Sequence, residues 1–180
     1  RNLQCLNVGI LCLHALFSSC FLFIPRLILE MFPLSVHQSW KVYAPVLIGA
    51  VLLMTPFVRR ADKTQKLQSL LLSAIFVFAL SILGLLIVQS KIGVYLGLTL
   101  FFAAFNILES LLPSFVSQLV ESSQRGTALG VYSTSQFLGI FLGGAIGGSM
   151  QQTFGLFGIG LWCMILVLLF AGAIGYVKRY

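Results

Sequence analysis

The run LLLSAIFVFALSILGLLI, Leu70 to Ile87, holds eighteen consecutive residues without a charge, an amide or a proline. Apolar side chains fall on both faces that a strand would have, so period-two alternation is absent and a half-buried strand does not fit. Coiled as an α-helix, the same residues span roughly 27 Å, close to the hydrocarbon thickness of a bilayer. A helix satisfies its backbone groups internally, as any lipid-crossing segment must, and the missing alternation argues against a transmembrane barrel.

Working outward, five further runs have comparable length and character. The six expected spans are Leu3 to Phe32, Val42 to Val58, Leu67 to Val88, Ile92 to Val120, Thr127 to Met150 and Leu156 to Val177. The 180 residues are 59% hydrophobic and 8% charged. An average soluble domain is about 25% charged, so an aqueous globular core is excluded. The fold class expected is all-α, a polytopic membrane protein of six transmembrane helices. No soluble domain fits in the short connections. The chain lacks both an initiator Met and a cleavable signal, and it reads as a segment of something longer.

The net charge of +7 does not point to nucleic acid, because the basic residues sit in turns between spans. If the chain alternates sides, one face collects Arg1, Arg59, Arg60, Lys63, Lys66, Arg125, Lys178 and Arg179, and the other Lys41, Lys91 and Arg26. Positive charge favours the cytoplasm, which places both termini there. Cys5, Cys12, Cys20 and Cys163 lie within spans, without a Cys-x-x-Cys pair, and read as small packing residues rather than a metal or disulfide framework. No cofactor or metal is expected.

Two turns carry helix-start signals, Asp62 with Gln65 as a capping box and Ser90 ahead of the fourth span. LFIPRLILE, ending at Glu30, and SLLPSFVSQLVE, ending at Glu121, echo each other in the first and fourth spans, with Pro25 and Pro113 at similar depths. Proline-interrupted helices at matching positions of two repeats point to a transporter site, and the six spans read as three plus three.

The polar residues inside the spans are few. FNILESLLPSF, Phe105 to Phe115, places Asn106 and Glu109 on one broad face with Ser110, Pro113, Ser114 and Ser117. A charged side chain at mid-membrane costs about 2.5 to 3.5 kcal/mol, so Glu109 should face protein or a water-filled cavity, where it could exchange a proton. The alternative is a structural Glu bonded between helices. On the first span Asn7, His14 and Ser18 share a face, and His14 could carry a proton or bind an anionic group, or serve as an interhelical hydrogen-bond partner. The fifth span contains GVYSTSQFLGIFLGGAIGG, where Gly139, Gly143 and Gly147 recur every four residues beside the pair Gly144 and Gly148. Such stripes let two helix backbones approach closely. Tyr132 and Gln136 continue the stripe and could reach a cavity. The third and sixth spans carry no charge, His, Asn or Gln at their centres and should face lipid.

FNILESLLPSFVSQL and RGTALGVYSTSQFLGIFLGGAIGG together resemble the tenth and eleventh helices of the major facilitator superfamily, closest to its YajR-type drug:proton antiporters. The likeness makes the chain spans seven to twelve, the C-terminal half, with the N-terminal six-helix half absent. It implies alternating access by two rocking halves in a bacterial inner membrane, with proton-driven efflux of a small-molecule substrate. By position, His14, Asn106 and Glu109 would project into the central cavity, and the Gly139 to Gly148 stripe would lie between the halves. RRADKTQK resembles the superfamily's cytoplasmic signature, keeping Asp62, Arg59 and Arg60 but lacking its glycines.

Other classes fit less well. The membrane domain of an ATP-driven exporter needs helices reaching far beyond the bilayer, and no phosphate-binding Gly-rich loop is present. An intramembrane peptidase needs GxSxG or HExxH, and neither occurs. A non-transporting structural fragment is the remaining alternative.

Overall fold

The computed structural model describes residues 1–61 and 67–177, and every regular element among them is helical. The elements are α1 (Asn2–Met31), α2 (Trp40–Ala61), α3 (Leu67–Ile87), α4 (Lys91–Gln118) and α5 (Arg125–Gly175), with short 3-10 turns at Val36–Gln38 and Ser122–Gln124. All five helices are long and apolar enough to cross a membrane.

The count differs from the six runs expected, because the last two fall within α5. That helix is 51 residues long and is broken at Gly155, whose φ of 64° and ψ of −149° are not helical. Only glycine adopts such a conformation without strain. Past the break, Gly158 lies against the Met150 carbonyl and the Phe154 side chain so closely that a methyl group would not fit. The two arms of α5 therefore meet at a tight corner rather than a gentle bend.

The prolines also behave differently from expectation. α1 runs through Pro25 and α4 through Pro113 without interruption, as α2 does through Pro45 and Pro56. Each proline removes one backbone bond, while a wider break would leave several polar groups facing hydrocarbon. Ser90 accepts a hydrogen bond from the Gly93 amide at 3.1 Å and caps α4. Asp62 and Gln65, the other expected cap, lie outside the described residues.

Two contacts organise the bundle. α1 packs along α5, and α4 lies against both α2 and α3, with α3 also touching α5. On the first seam, Gly139 faces the Leu11 backbone and Gly143 the Ala15 backbone, each with no room for a methyl group. Gly147 meets the Ser19 side chain. The Ser19 hydroxyl donates to the Gly143 carbonyl at 2.9 Å and accepts from the Trp162 indole at 3.1 Å, tying α1 to both arms of α5. The close contacts of Gly139, Gly143 and Gly147 are thus with α1, inside this bundle. Gly144 and Gly148 have only ordinary contacts, with Ser18 and Leu22.

An aromatic cluster joins α1, α3 and α4. Phe17 stacks on Phe105 with ring centroids 4.3 Å apart, and Phe78 of α3 lies 4.8 Å from Phe101 of α4. Leu71, Ile75, Phe78, Ile82 and Leu85 turn the buried face of α3 inward, while Phe76, Leu80, Leu83 and Ile87 are exposed. Cys12, Cys20 and Cys163 are buried in the core.

Candidate functional site

Three helices bring one polar side chain each to a common point. His14 comes from α1, Glu109 from α4 and Gln136 from α5, and none is close to another in sequence. The Gln136 amide nitrogen lies 2.8 Å from His14 Nε2 and 3.4 Å from Glu109 Oε1. His14 Nε2 is also 3.6 Å from Glu109 Oε2. The ring of His14 rests edge-on against Phe105, with centroids 5.7 Å apart, so the aromatic cluster forms the floor of the site.

The hydrogen bonds assign the proton positions by elimination. His14 Nδ1 lies 3.3 Å from the Ile10 carbonyl, which can only accept, so Nδ1 carries a hydrogen. In a neutral ring Nε2 is then a lone pair, and it accepts from the Gln136 amide. Glu109 Oε1 accepts from the same amide. The Gln136 amide carries two hydrogens, so one side chain joins His14 and Glu109.

That junction leaves oxygen atoms unsatisfied. Glu109 Oε2, the Tyr132 hydroxyl and Asn7 Oδ1 are buried without a hydrogen-bond partner. Buried polar atoms are paired in the great majority of cases, so Glu109 Oε2 and the Tyr132 hydroxyl stand out at the junction, while Asn7 lies two turns earlier on α1. Tyr132 is buried on α5, one turn before Gln136, and Glu109 keeps about a third of its side chain exposed. The site is enclosed on the His14 side and open at Glu109.

Asn106 is half-buried one turn before Glu109, and no hydrogen bond among the described residues joins it or Asn7 to the junction. The serines expected on the same face bond elsewhere. Ser110 donates to the Ile107 carbonyl at 2.9 Å and Ser117 to the Pro113 carbonyl at 2.9 Å, both within α4. Arg59 is exposed at the end of α2, and Arg60 follows it in the same helix. Asp62 lies outside the described residues, and Arg26 is paired with Glu30 at 2.7 Å on the exposed end of α1.

Sequence reasoning found all three members of the junction but not their meeting. Gln136 signalled itself only as a polar residue in line with the glycine stripe. The stripe puts it beside α1, since Gly139 is three residues on and touches Leu11, three residues before His14.

No family model matches the chain. It is 37% identical over 151 residues to the inner membrane transport protein YajR of Escherichia coli (strain K12), an overlap of 83% of this chain and 33% of that protein. It is 30% identical over 137 residues to an uncharacterized transporter of Buchnera aphidicola subsp. Acyrthosiphon pisum, covering 76% of this chain and 35% of the relative. A further uncharacterized transporter, of Buchnera aphidicola subsp. Baizongia pistaciae, is 31% identical over 156 residues, with coverage of 82% and 38%. The chain spans about a third of the length of the curated relatives it matches.

Proposed function

We propose that this chain, a homologue of the YajR-type transporters, is the C-terminal six-helix half of a major facilitator superfamily transporter that exports small organic molecules in exchange for protons. The full-length protein works by alternating access in a bacterial inner membrane, and this half supplies the proton-handling wall of the central cavity. Its remaining partners are the N-terminal half, membrane lipid and the transported molecule.

The length of α5 and the corner at Gly155 favour six spans rather than five. A straight helix of 51 residues would reach roughly 77 Å, more than twice the hydrocarbon thickness. Broken at Gly155, the arms 125–154 and 156–175 are each of membrane-crossing length. This supports a three-plus-three arrangement with both ends of the chain on the cytoplasmic side.

The observation that carries the proton reading is the His14–Gln136–Glu109 junction with its unpartnered Glu109 Oε2. A proton arriving from the open side has two acceptors, Glu109 Oε2 and His14 Nε2. Protonation of His14 displaces the Gln136 amide from Nε2 and turns the ring into a donor toward Glu109. Protonation of Glu109 removes a charge that otherwise calls for water. Either event changes what the half-buried carboxylate can bind, which is the requirement for exchanging proton for substrate.

Substrate-induced proton release by the full-length protein tests this. Glu109→Gln abolishes release, and His14→Ala reduces it while leaving substrate binding measurable. Undiminished proton release from Glu109→Gln would reject the assignment.

A further inference from the structure

Two of the unpartnered oxygens have complementary chemistry. Glu109 Oε2 belongs to α4 and the Tyr132 hydroxyl to α5, and both atoms are buried within this chain. Tyr132 is only 4% exposed. It stands one turn before Gln136, whose amide reaches Glu109 Oε1, and the charge of the carboxylate acts on its hydroxyl. Since neither oxygen presents a surface, a bulky solute or a segment from elsewhere in a longer protein cannot cover them.

The neighbouring hydroxyls show why Tyr132 differs. Thr134 and Ser135 donate to the Gly130 and Val131 carbonyls at 3.0 and 3.1 Å, as Ser110 does to the Ile107 carbonyl on α4. A short hydroxyl settles on its own helix in this way. The phenol oxygen of a tyrosine stands a ring's length from its backbone, so its partner has to come from another element.

The phenol and the carboxyl also suit each other in both protonation states. An ionised carboxylate only accepts, and the phenol can donate to it; when Oε2 carries a proton it donates, and the phenol can accept. The Gln136 amide nitrogen cannot make that reversal, because it only donates. Few other groups compete. His14 faces Glu109 from α1, α3 has no ionisable residue between Leu67 and Ile87, those of α2 lie in its first and last turns, and those of α4 other than Glu109 lie in its first two turns. We infer that Tyr132 is a positioning residue for Glu109, its hydroxyl bonding to Oε2 directly or across one water, as donor to the ionised carboxylate and acceptor from the protonated one. The meaning of this link for transport rests on the proton reading above, whereas the link itself does not.

The test reads the carboxyl directly, by infrared titration of the full-length protein, with the Glu109 band identified by its loss in Glu109→Gln. The bond to the ionised form is the stronger of the two, so its removal in Tyr132→Phe disfavours the charge. The midpoint of the Glu109 band should then move to higher pH by about one to two units. 3-Fluorotyrosine at position 132 keeps the ring and the hydroxyl but donates more strongly, and should move the midpoint to lower pH. That second variant carries the test if Tyr132→Phe does not fold. An unmoved midpoint, a shift of the same sign in both variants, or no titrating Glu109 band would overturn the inference. Proton release that survives Glu109→Gln would reject the proton reading alone, and an unmoved midpoint beside lost release would reject the Tyr132 link alone.

Discussion

Gln136 is the residue on which the junction turns, because its amide nitrogen alone reaches both His14 and Glu109. Gln136→Leu leaves His14 Nε2 and Glu109 Oε1 without their donor at nearly constant volume. An unpaired buried polar group costs about 1 to 3 kcal/mol, so proton-coupled transport should fall roughly 5- to 150-fold. Its pH profile should move, which a merely structural residue would not cause; an unchanged profile in a folded Gln136→Leu protein would remove Gln136 from the mechanism. At this scale the sequence was informative about cost and uninformative about direction. A carboxylate within an apolar run announces itself, whereas spacing cannot say that Ser110 and Ser117 turn back onto their own helix. A serine hydroxyl has a carbonyl within reach one turn earlier, and it bonds there unless a neighbouring helix offers something better.

Among the elements, the seam between α1 and α5 is the most demanding. Gly139 and Gly143 admit no side chain against the backbones of Leu11 and Ala15, while Gly144 and Gly148 have room for one. Gly143→Ala should therefore destabilise the bundle by about 1 to 3 kcal/mol, and Gly144→Ala should stay within about 0.5 kcal/mol of the parent. Thermal unfolding in detergent distinguishes them, and equal effects would mean that the seam is not the close contact described. The period of four in the glycines was legible in the sequence, but the choice between two parallel stripes was not. That choice depends on which face meets α1, and a helix apolar all round carries no record of it. The same uniformity hid the inward face of α3, whose buried Leu71, Ile75 and Phe78 differ little in chemistry from exposed Phe76 and Leu80.

For the molecule as a whole, the path of the chain is the quantity to measure. If Gly155 is a turn between two spans, single cysteines at 154 and 37 react with an impermeant thiol reagent from one side of the membrane, and a cysteine at 123 reacts from the other. Labelling of 154 and 123 from the same side would reject six spans. The 180 residues alone, reconstituted into liposomes, should give no proton-driven dye efflux, because one wall cannot enclose a path. The apolar runs made the helical class readable from composition alone. The gap left between the fifth and sixth runs, after Met150 and before Leu156, contains the break at Gly155, although the helix is otherwise continuous there.

The glycine seam also constrains how such a wall can move. With backbones touching at two points and Ser19 bridging to Trp162, α1 and α5 behave as one strut, and a hinge between them would have to open its tightest joint. α4 meets each of them far more sparingly. Glu109 thus stands on a helix packed mainly against α2 and α3, with His14 and Gln136 on the α1–α5 pair. Spin-label distances between α1 and α5 should hold constant across pH and substrate, while those from α4 to either lengthen and shorten with the cycle.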